Sequence, residues 1–182
     1  MSNNLVKQSK FLSLVLRHQP DLIGLVLDEN GWANVEELIR LANIQLPELS
    51  RQLLESIVAS NDKKRFEFNA DGQQIRASQG HSVEIDLALS PSLPPDMLFH
   101  GTASRFVDSI RGTGLNSGKR QHVHLSLDVA TATKVGRRHG KPVILRIRAK
   151  AMSAAGHDFF LSTNGVWLTA LVPVAFIDFP DS

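Results

Sequence analysis

The sequence predicts an α+β protein of two lobes, and three observations predict it. Apolar residues recur at helical spacing through residues 5–60, the period shortens to two in residues 64–78, and three prolines crowd into SPSLPPD, residues 90–96. The first two describe helices closed by a hairpin. The third marks a boundary between a lobe of residues 1–90 and a lobe of residues 96–182.

Residues 5–18 read as a helix, with Phe11, Leu12, Val15 and Leu16 at three- and four-residue spacing and Gln19-Pro20 stopping it. Arg17 and His18 stand at that stop, where cations favour unpaired carbonyls. Asn30-Gly31 signals a turn, with Trp32 as a core anchor. Asn34 caps a helix through NVEELIRLA, and Pro47 lies near the first turn of another in PELSRQLLESIVAS. Past Asn61-Asp62 the period changes, and KKRFEFNADGQQIRAS turns at Asp71-Gly72 between strands 64–68 and 74–78. Three helices followed by a hairpin are the layout of a winged-helix module, and such modules commonly bind nucleic acid.

In the second lobe MLFHGT begins as a strand and turns at Gly101 into a helix through Arg111, capped by Thr102 or Ser104 and stopped by Gly112. HVHLS, residues 122–126, is a strand running into a helix over about 127–138, with Gly140 as its stop. KPVILRIRAK, NGVWLTALV and VAFIDF are further short strands rich in β-formers.

Composition excludes several functional classes. The chain has no cysteine, so disulfides, thiolate zinc sites and cysteine nucleophiles are ruled out. FLSLVL and PVAFI are too short to span a bilayer, and MSNNLVKQSK lacks the apolar core of a signal peptide; a cytoplasmic location without a membrane partner is expected. There is no P-loop, and GTGLNSG, residues 112–118, does not fit GxGxxG. His122 and His124 share one face of a strand, but with no HExxH and only Asp128 nearby no metal is expected. The net charge of +2 hides an uneven distribution: residues 21–60 sum to −5, and residues 100–150 to +9. A local excess of that size suits a phosphate-rich ligand. Arg17, Arg65 and Arg120 each offer a planar fork of donors that matches phosphate oxygens, so these three converging with His18 would make a specific phosphate site.

Taken in order, SKFLSLVLRHQP with GLVLDENGW, SNDKKRFEF, IRASQGHS, LFHGT, RQHVHLS and NGVWLT resembles the NAD-dependent RNA 2′-phosphotransferases, often called tRNA 2′-phosphotransferases or the KptA family. The resemblance covers about residues 9–177. It implies an N-terminal winged-helix lobe that takes the RNA phosphate, and a C-terminal lobe of the ADP-ribosyltransferase fold that takes NAD as co-substrate. The implied reaction has two steps and needs no metal. An internal RNA 2′-phosphate displaces nicotinamide from NAD, and the ribose 2″-hydroxyl then attacks the phosphorus, releasing RNA and ADP-ribose 1″,2″-cyclic phosphate.

Carried over motif by motif, the catalytic set falls on Arg17, His18, Arg65 and Arg120. The resemblance assigns His100, Gly101 and Thr102 of HGT, His124 and Ser126 of HVHLS, and Val166 of NGVWLT to the NAD cleft, with backbone amides at a strand-to-helix change favouring the pyrophosphate. Val166 stands where many protein-modifying relatives carry a glutamate; an anionic phosphate needs no base to attack. Lys119, Arg137, Arg138 and Lys141 are candidates for the RNA backbone, Trp32 and Trp167 are assigned to the core, and a monomer is expected. The alternative is an ADP-ribosyltransferase acting on nucleic-acid terminal phosphates or on protein, with no second step.

Overall fold

Apolar spacing in the N-terminal segment produces helix α1, Asn3–Val15, in a computed structural model that describes residues 3–45, 47–60 and 64–180. Helix α1 ends before Leu16, three residues earlier than the periodicity predicts, and Leu16 to His18 form a turn. The amides of both His18 and Gln19 bond the Leu14 carbonyl at 2.9 Å, so the last turn widens there and the chain leaves the helix. Gln19 leads into a 3₁₀ turn, Pro20–Ile23, which Gly24 closes in the left-handed conformation.

Strand β1, Ala33–Asn34, precedes α2, Val35–Gln45, and the Asn34 side chain accepts from the Glu37 amide at 3.0 Å, which is the expected cap. Helix α3, Arg51–Ala59, is capped by Ser50, whose hydroxyl accepts from the Leu53 amide. Pro47 therefore lies outside α3, in a turn where Glu48 has a φ of 83°. The expected change of period at Asn61-Asp62 falls outside the described residues. Strands β2, Phe66–Phe68, and β3, Gln74–Ala77, form the hairpin, and β1 joins it in an antiparallel sheet of order β1-β3-β2. Leu12, Leu16, Leu38, Leu54 and Ile75 are fully buried in the core of this lobe. Trp32 is only half-buried and lies under the Arg76 guanidinium, 4.4 Å from its ring centre, rather than in the core.

The chain divides into two compact units, Met1–Ala88 and Leu89–Ser182. In the second, β4, Leu98–Ala103, runs straight through Gly101. The expected turn there does not occur, and neither Thr102 nor Ser104 caps a helix. A 3₁₀ turn, Ser104–Phe106, intervenes before α4, Val107–Thr113, which passes through Gly112 and stops at Gly114. Strands β5, Leu115–Asn116, and β6, Val123–Leu125, follow. Helix α5, Val129–Gly136, is capped by Asp128 and continues as a 3₁₀ turn, Arg137–His139, to the expected stop at Gly140.

Strand β7, Pro142–Ile147, pairs with β4 along its whole length. The alternation of KPVILRIRAK does not persist, because Ala149–Ala154 folds as α6 with Ala149 and Met152 turned inward. Strands β8, Phe160–Leu161, β9, Trp167–Thr169, β10, Leu171–Val172, and β11, Ile177–Asp178, complete the unit, with a 3₁₀ turn at Val174–Phe176 where VAFIDF reads as strand. The sheets have orders β11-β7-β4, β6-β9-β8 and β10-β5. Reciprocal bonds between Phe99 and Ser126, at 2.9 and 2.8 Å, join β4 to the segment after β6. The architecture is α+β: helices with small antiparallel sheets. Among the described residues no helix is long and apolar enough to cross a membrane.

Candidate functional site

In the first unit the turn after α1 and the hairpin bring three of the predicted residues together. The Arg17 guanidinium donates to the Arg65 carbonyl at 3.2 Å, and the Ser78 amide donates to the same oxygen at 2.9 Å. Lys64, just before β2, adopts a φ of 41° and accepts from the Ser78 hydroxyl at 2.7 Å. These bonds fix the segment carrying Arg65 beside the one carrying Arg17 and His18. Arg17, His18 and Arg65 are all half-buried.

A third segment completes this cluster. Gly80, with a φ of 88°, turns the chain so that the Ser82 and Val83 amides both reach the Arg17 carbonyl, at 2.9 and 3.4 Å. The Ser82 hydroxyl lies 2.9 Å from Nδ1 of His18. His81, only 1% exposed, packs close to Arg17, His18 and Arg76. Burial first, and then those cations, lower its pKa to about 3, so the ring is neutral near pH 7 and adds no positive charge. Neither periodicity nor residue type singles out His81 or Ser82, although GHS lies within the IRASQGHS motif.

The second unit brings together most of the remaining residues. His100 lies on β4 and its Nδ1 bonds the His124 carbonyl at 3.0 Å; a carbonyl only accepts, so Nδ1 carries the hydrogen. Burial lowers the His100 pKa, the His124 bond opposes that shift and His139 adds to it, leaving a neutral ring whose Nε2 is an acceptor. Arg120 donates to Nδ1 of His124 at 3.2 Å, which places the neutral His124 hydrogen on Nε2. Arg138 also lies close enough to act on Arg120 electrostatically.

Gly101 and Thr102 lie within β4, and the change from strand to helical turn comes at Ser104, past the expected position. Their placement has a packing cause. A Cβ on Gly101 would lie 1.7 Å from the Ala132 carbonyl oxygen, and one on Gly136 would lie 2.8 Å from the Thr102 carbonyl oxygen. The two glycines let α5 press against β4. Ser126 holds Phe99 across the strands, as described. Val166 is held by Ser162, whose hydroxyl accepts from its amide at 3.0 Å.

Lys119, Arg137, Arg138 and Lys141 are all exposed, Lys119 in the turn before Arg120 and the others around the end of α5. His122 meets Phe160 edge to face at 5.8 Å. Among the described residues no group of three or more histidines and acids is arranged to hold a metal. Trp167 is buried, in the core of the second unit.

Comparison with known proteins agrees with the resemblance read from the motifs. Residues 3–171 match the family described as RNA 2′-phosphotransferase, Tpt1 / KptA family. A probable RNA 2′-phosphotransferase of Hahella chejuensis is 57% identical over 182 residues, covering 100% of this chain and 98% of that protein. One of Pseudomonas aeruginosa strain PAO1 is 58% identical, covering 93% of each chain. A third, of Escherichia coli O45:K1, is 50% identical over 97% of this chain and 91% of its own. This chain belongs to the RNA 2′-phosphotransferase, Tpt1 / KptA family.

Proposed function

We propose that this protein removes an internal 2′-phosphate from RNA by transferring it to NAD. The 2′-phosphate oxygen attacks the anomeric carbon of the nicotinamide ribose and the bond to nicotinamide breaks. The ribose 2″-oxygen then bonds to phosphorus as the bond to the RNA 2′-oxygen breaks. ADP-ribose 1″,2″-cyclic phosphate leaves, and the RNA keeps a 2′-hydroxyl.

One observation carries this reading within the family: the Arg17 guanidinium is tied to the Arg65 backbone at 3.2 Å beside His18, in a unit where the third neighbour, His81, stays neutral. That puts the segment carrying Arg65 next to the Arg17 guanidinium and His18, an arrangement that suits one phosphate. Arg17, Arg65 and Arg120 are assigned to the phosphate oxygens, whose charge they neutralise as the nucleotide approaches and as phosphorus is attacked. His18 is assigned to proton transfer in the second step, where an imidazole is suited to near-neutral chemistry.

In the second unit the neutral His100 offers an acceptor at Nε2, which fits a ribose hydroxyl of NAD. Ser126, Thr102 and His124 supply further polar groups nearby on the same sheets. The uncharged Val166 favours an acceptor that is already anionic over a protein side chain. The first unit, three helices with a three-stranded sheet, is assigned to the winged-helix class, and the second to the ADP-ribosyltransferase fold. Lys119, Arg137, Arg138 and Lys141 are assigned to the RNA backbone. The protein acts as a monomer in the cytoplasm, without a metal.

The test is nicotinamide release from NAD in the presence of two short RNAs, one bearing a single internal 2′-phosphate and one with none. Release is expected only with the phosphorylated RNA, together with conversion to the 2′-hydroxyl form. Intact NAD and intact 2′-phosphate would refute the proposal.

A further inference from the structure

We infer that Ser82 is a positioning residue for His18, orienting its imidazole through Nδ1 so that Nε2 handles the proton of the second step. The inference rests on the reaction proposed above. Its basis is a division of labour within the turn that Gly80 creates. The Ser82 and Val83 amides hold the Arg17 carbonyl at 2.9 and 3.4 Å, and those two bonds seat the turn through backbone alone. The Ser82 side chain therefore has a separate partner, His18 Nδ1 at 2.9 Å, although 64 residues separate the two in sequence. A ring bonded at Nδ1 directs Nε2 away from the serine.

Hydroxyl chemistry suits a ring that changes protonation. A hydroxyl accepts from Nδ1–H and, after rotation, donates to an unprotonated Nδ1, so it keeps its bond in both forms of the imidazole. A carboxylate at this position would instead favour the imidazolium and hold the proton. In the second step the ribose 2″-hydroxyl loses a proton as its oxygen bonds to phosphorus, and the RNA 2′-oxygen gains one as its bond to phosphorus breaks. One imidazole held in a fixed direction can serve that balanced exchange, whereas a ring free to swing spends part of its time misaligned. The neighbouring His81, neutral at this pH, does not compete as a charged group.

The test compares wild type, Ser82→Ala and Ser82→Thr on RNA carrying one internal 2′-phosphate, with nicotinamide read for the first step and cyclic phosphate for the second. Ser82 is exposed, so Ser82→Ala should unfold at the wild-type midpoint. It should release nicotinamide at close to the wild-type rate yet form cyclic phosphate about tenfold more slowly or worse, so that ADP-ribosylated RNA accumulates. Ser82→Thr, which keeps the hydroxyl, should restore the second step. A Ser82→Ala variant that matches wild type in both steps overturns the positioning role alone, as does a Ser82→Thr variant as slow as Ser82→Ala. A wild-type protein that consumes no NAD overturns the reaction and the positioning role together.

Discussion

Replacing Gly101 by alanine would separate a packing requirement from a turn requirement at this position. The new Cβ would lie 1.7 Å from the Ala132 carbonyl oxygen, 2.6 Å from its carbon and 2.9 Å from the Gly136 nitrogen. All three are backbone atoms of α5, so no side chain can rotate aside, and the helix must retreat from β4 by more than about 1 Å. Overpacking of this kind costs about 1–3 kcal/mol, and the rigidity of the neighbours puts Gly101→Ala near about 3 kcal/mol. Gly112 supplies the internal control. It lies inside α4, where a Cβ would meet nothing within 4 Å, and Gly112→Ala should stabilise by about 0.5–1 kcal/mol through helix propensity. Urea unfolding of the three proteins, followed by circular dichroism, reads both signs at once. A Gly101→Ala protein within about 0.5 kcal/mol of wild type would refute the argument that α5 and β4 touch through bare backbone.

Three further outcomes follow from particular contacts. Arg17→Ala should abolish dephosphorylation while costing about 1 kcal/mol, the worth of its bond to the Arg65 carbonyl, and normal turnover would refute its catalytic role. His81 binds a proton in the unfolded chain below its ordinary pKa of 6.5 but not in the folded chain until about pH 3, so acidification through that window favours unfolding. Its contribution falls by up to about 1.4 kcal/mol per pH unit; His81→Gln should flatten the stability profile between pH 6 and 4 relative to wild type, and parallel profiles would contradict the buried neutral ring. Arg76 pairs with Glu67 at 2.7 Å, with side-chain exposures of 13% and 23%, and also covers Trp32. Arg76→Met should cost about 3 kcal/mol, and a double-mutant cycle with Glu67→Gln should show coupling above about 1 kcal/mol; independent effects would argue against the pair.

Local chemistry was readable in the sequence where one neighbour decides the structure. Asn34 announces α2 because a cap acts over three residues, and Asp71-Gly72 announces the hairpin because the turn needs a left-handed glycine, with Gly72 at a φ of 72°. Gly101 misleads for the opposite reason. Its backbone is ordinary strand, and what requires glycine is a helix more than thirty residues away, which no local pattern records. Helix α6 was hidden because RIR continues the alternation of β7 and only Ala149 and Met152, three apart, betray the change. Ser50, directly before RQLL, is a stronger start signal for α3 than Pro47, because its hydroxyl can cap the first turn.

The site divides along the same line. Arg17, His18 and Arg65 were recognisable as residue types suited to phosphate, and their order along the chain carried the family resemblance. The bond from Arg17 to the Arg65 carbonyl and the Ser82 contact to His18 are tertiary facts, spanning 48 and 64 residues, and periodicity contains no trace of them. The neutrality of His81 and His100 is likewise a product of burial, which the fold alone determines.

Transfer of the 2′-phosphate to NAD can be followed through the fate of the phosphorus atom itself. An RNA carrying a single radiolabelled internal 2′-phosphate is incubated with the protein and NAD, and the products are separated by size and charge. The label should leave the RNA and appear in ADP-ribose 1″,2″-cyclic phosphate, one per nicotinamide released. Label that stays on the RNA, whether bare or permanently joined to ADP-ribose, would contradict it.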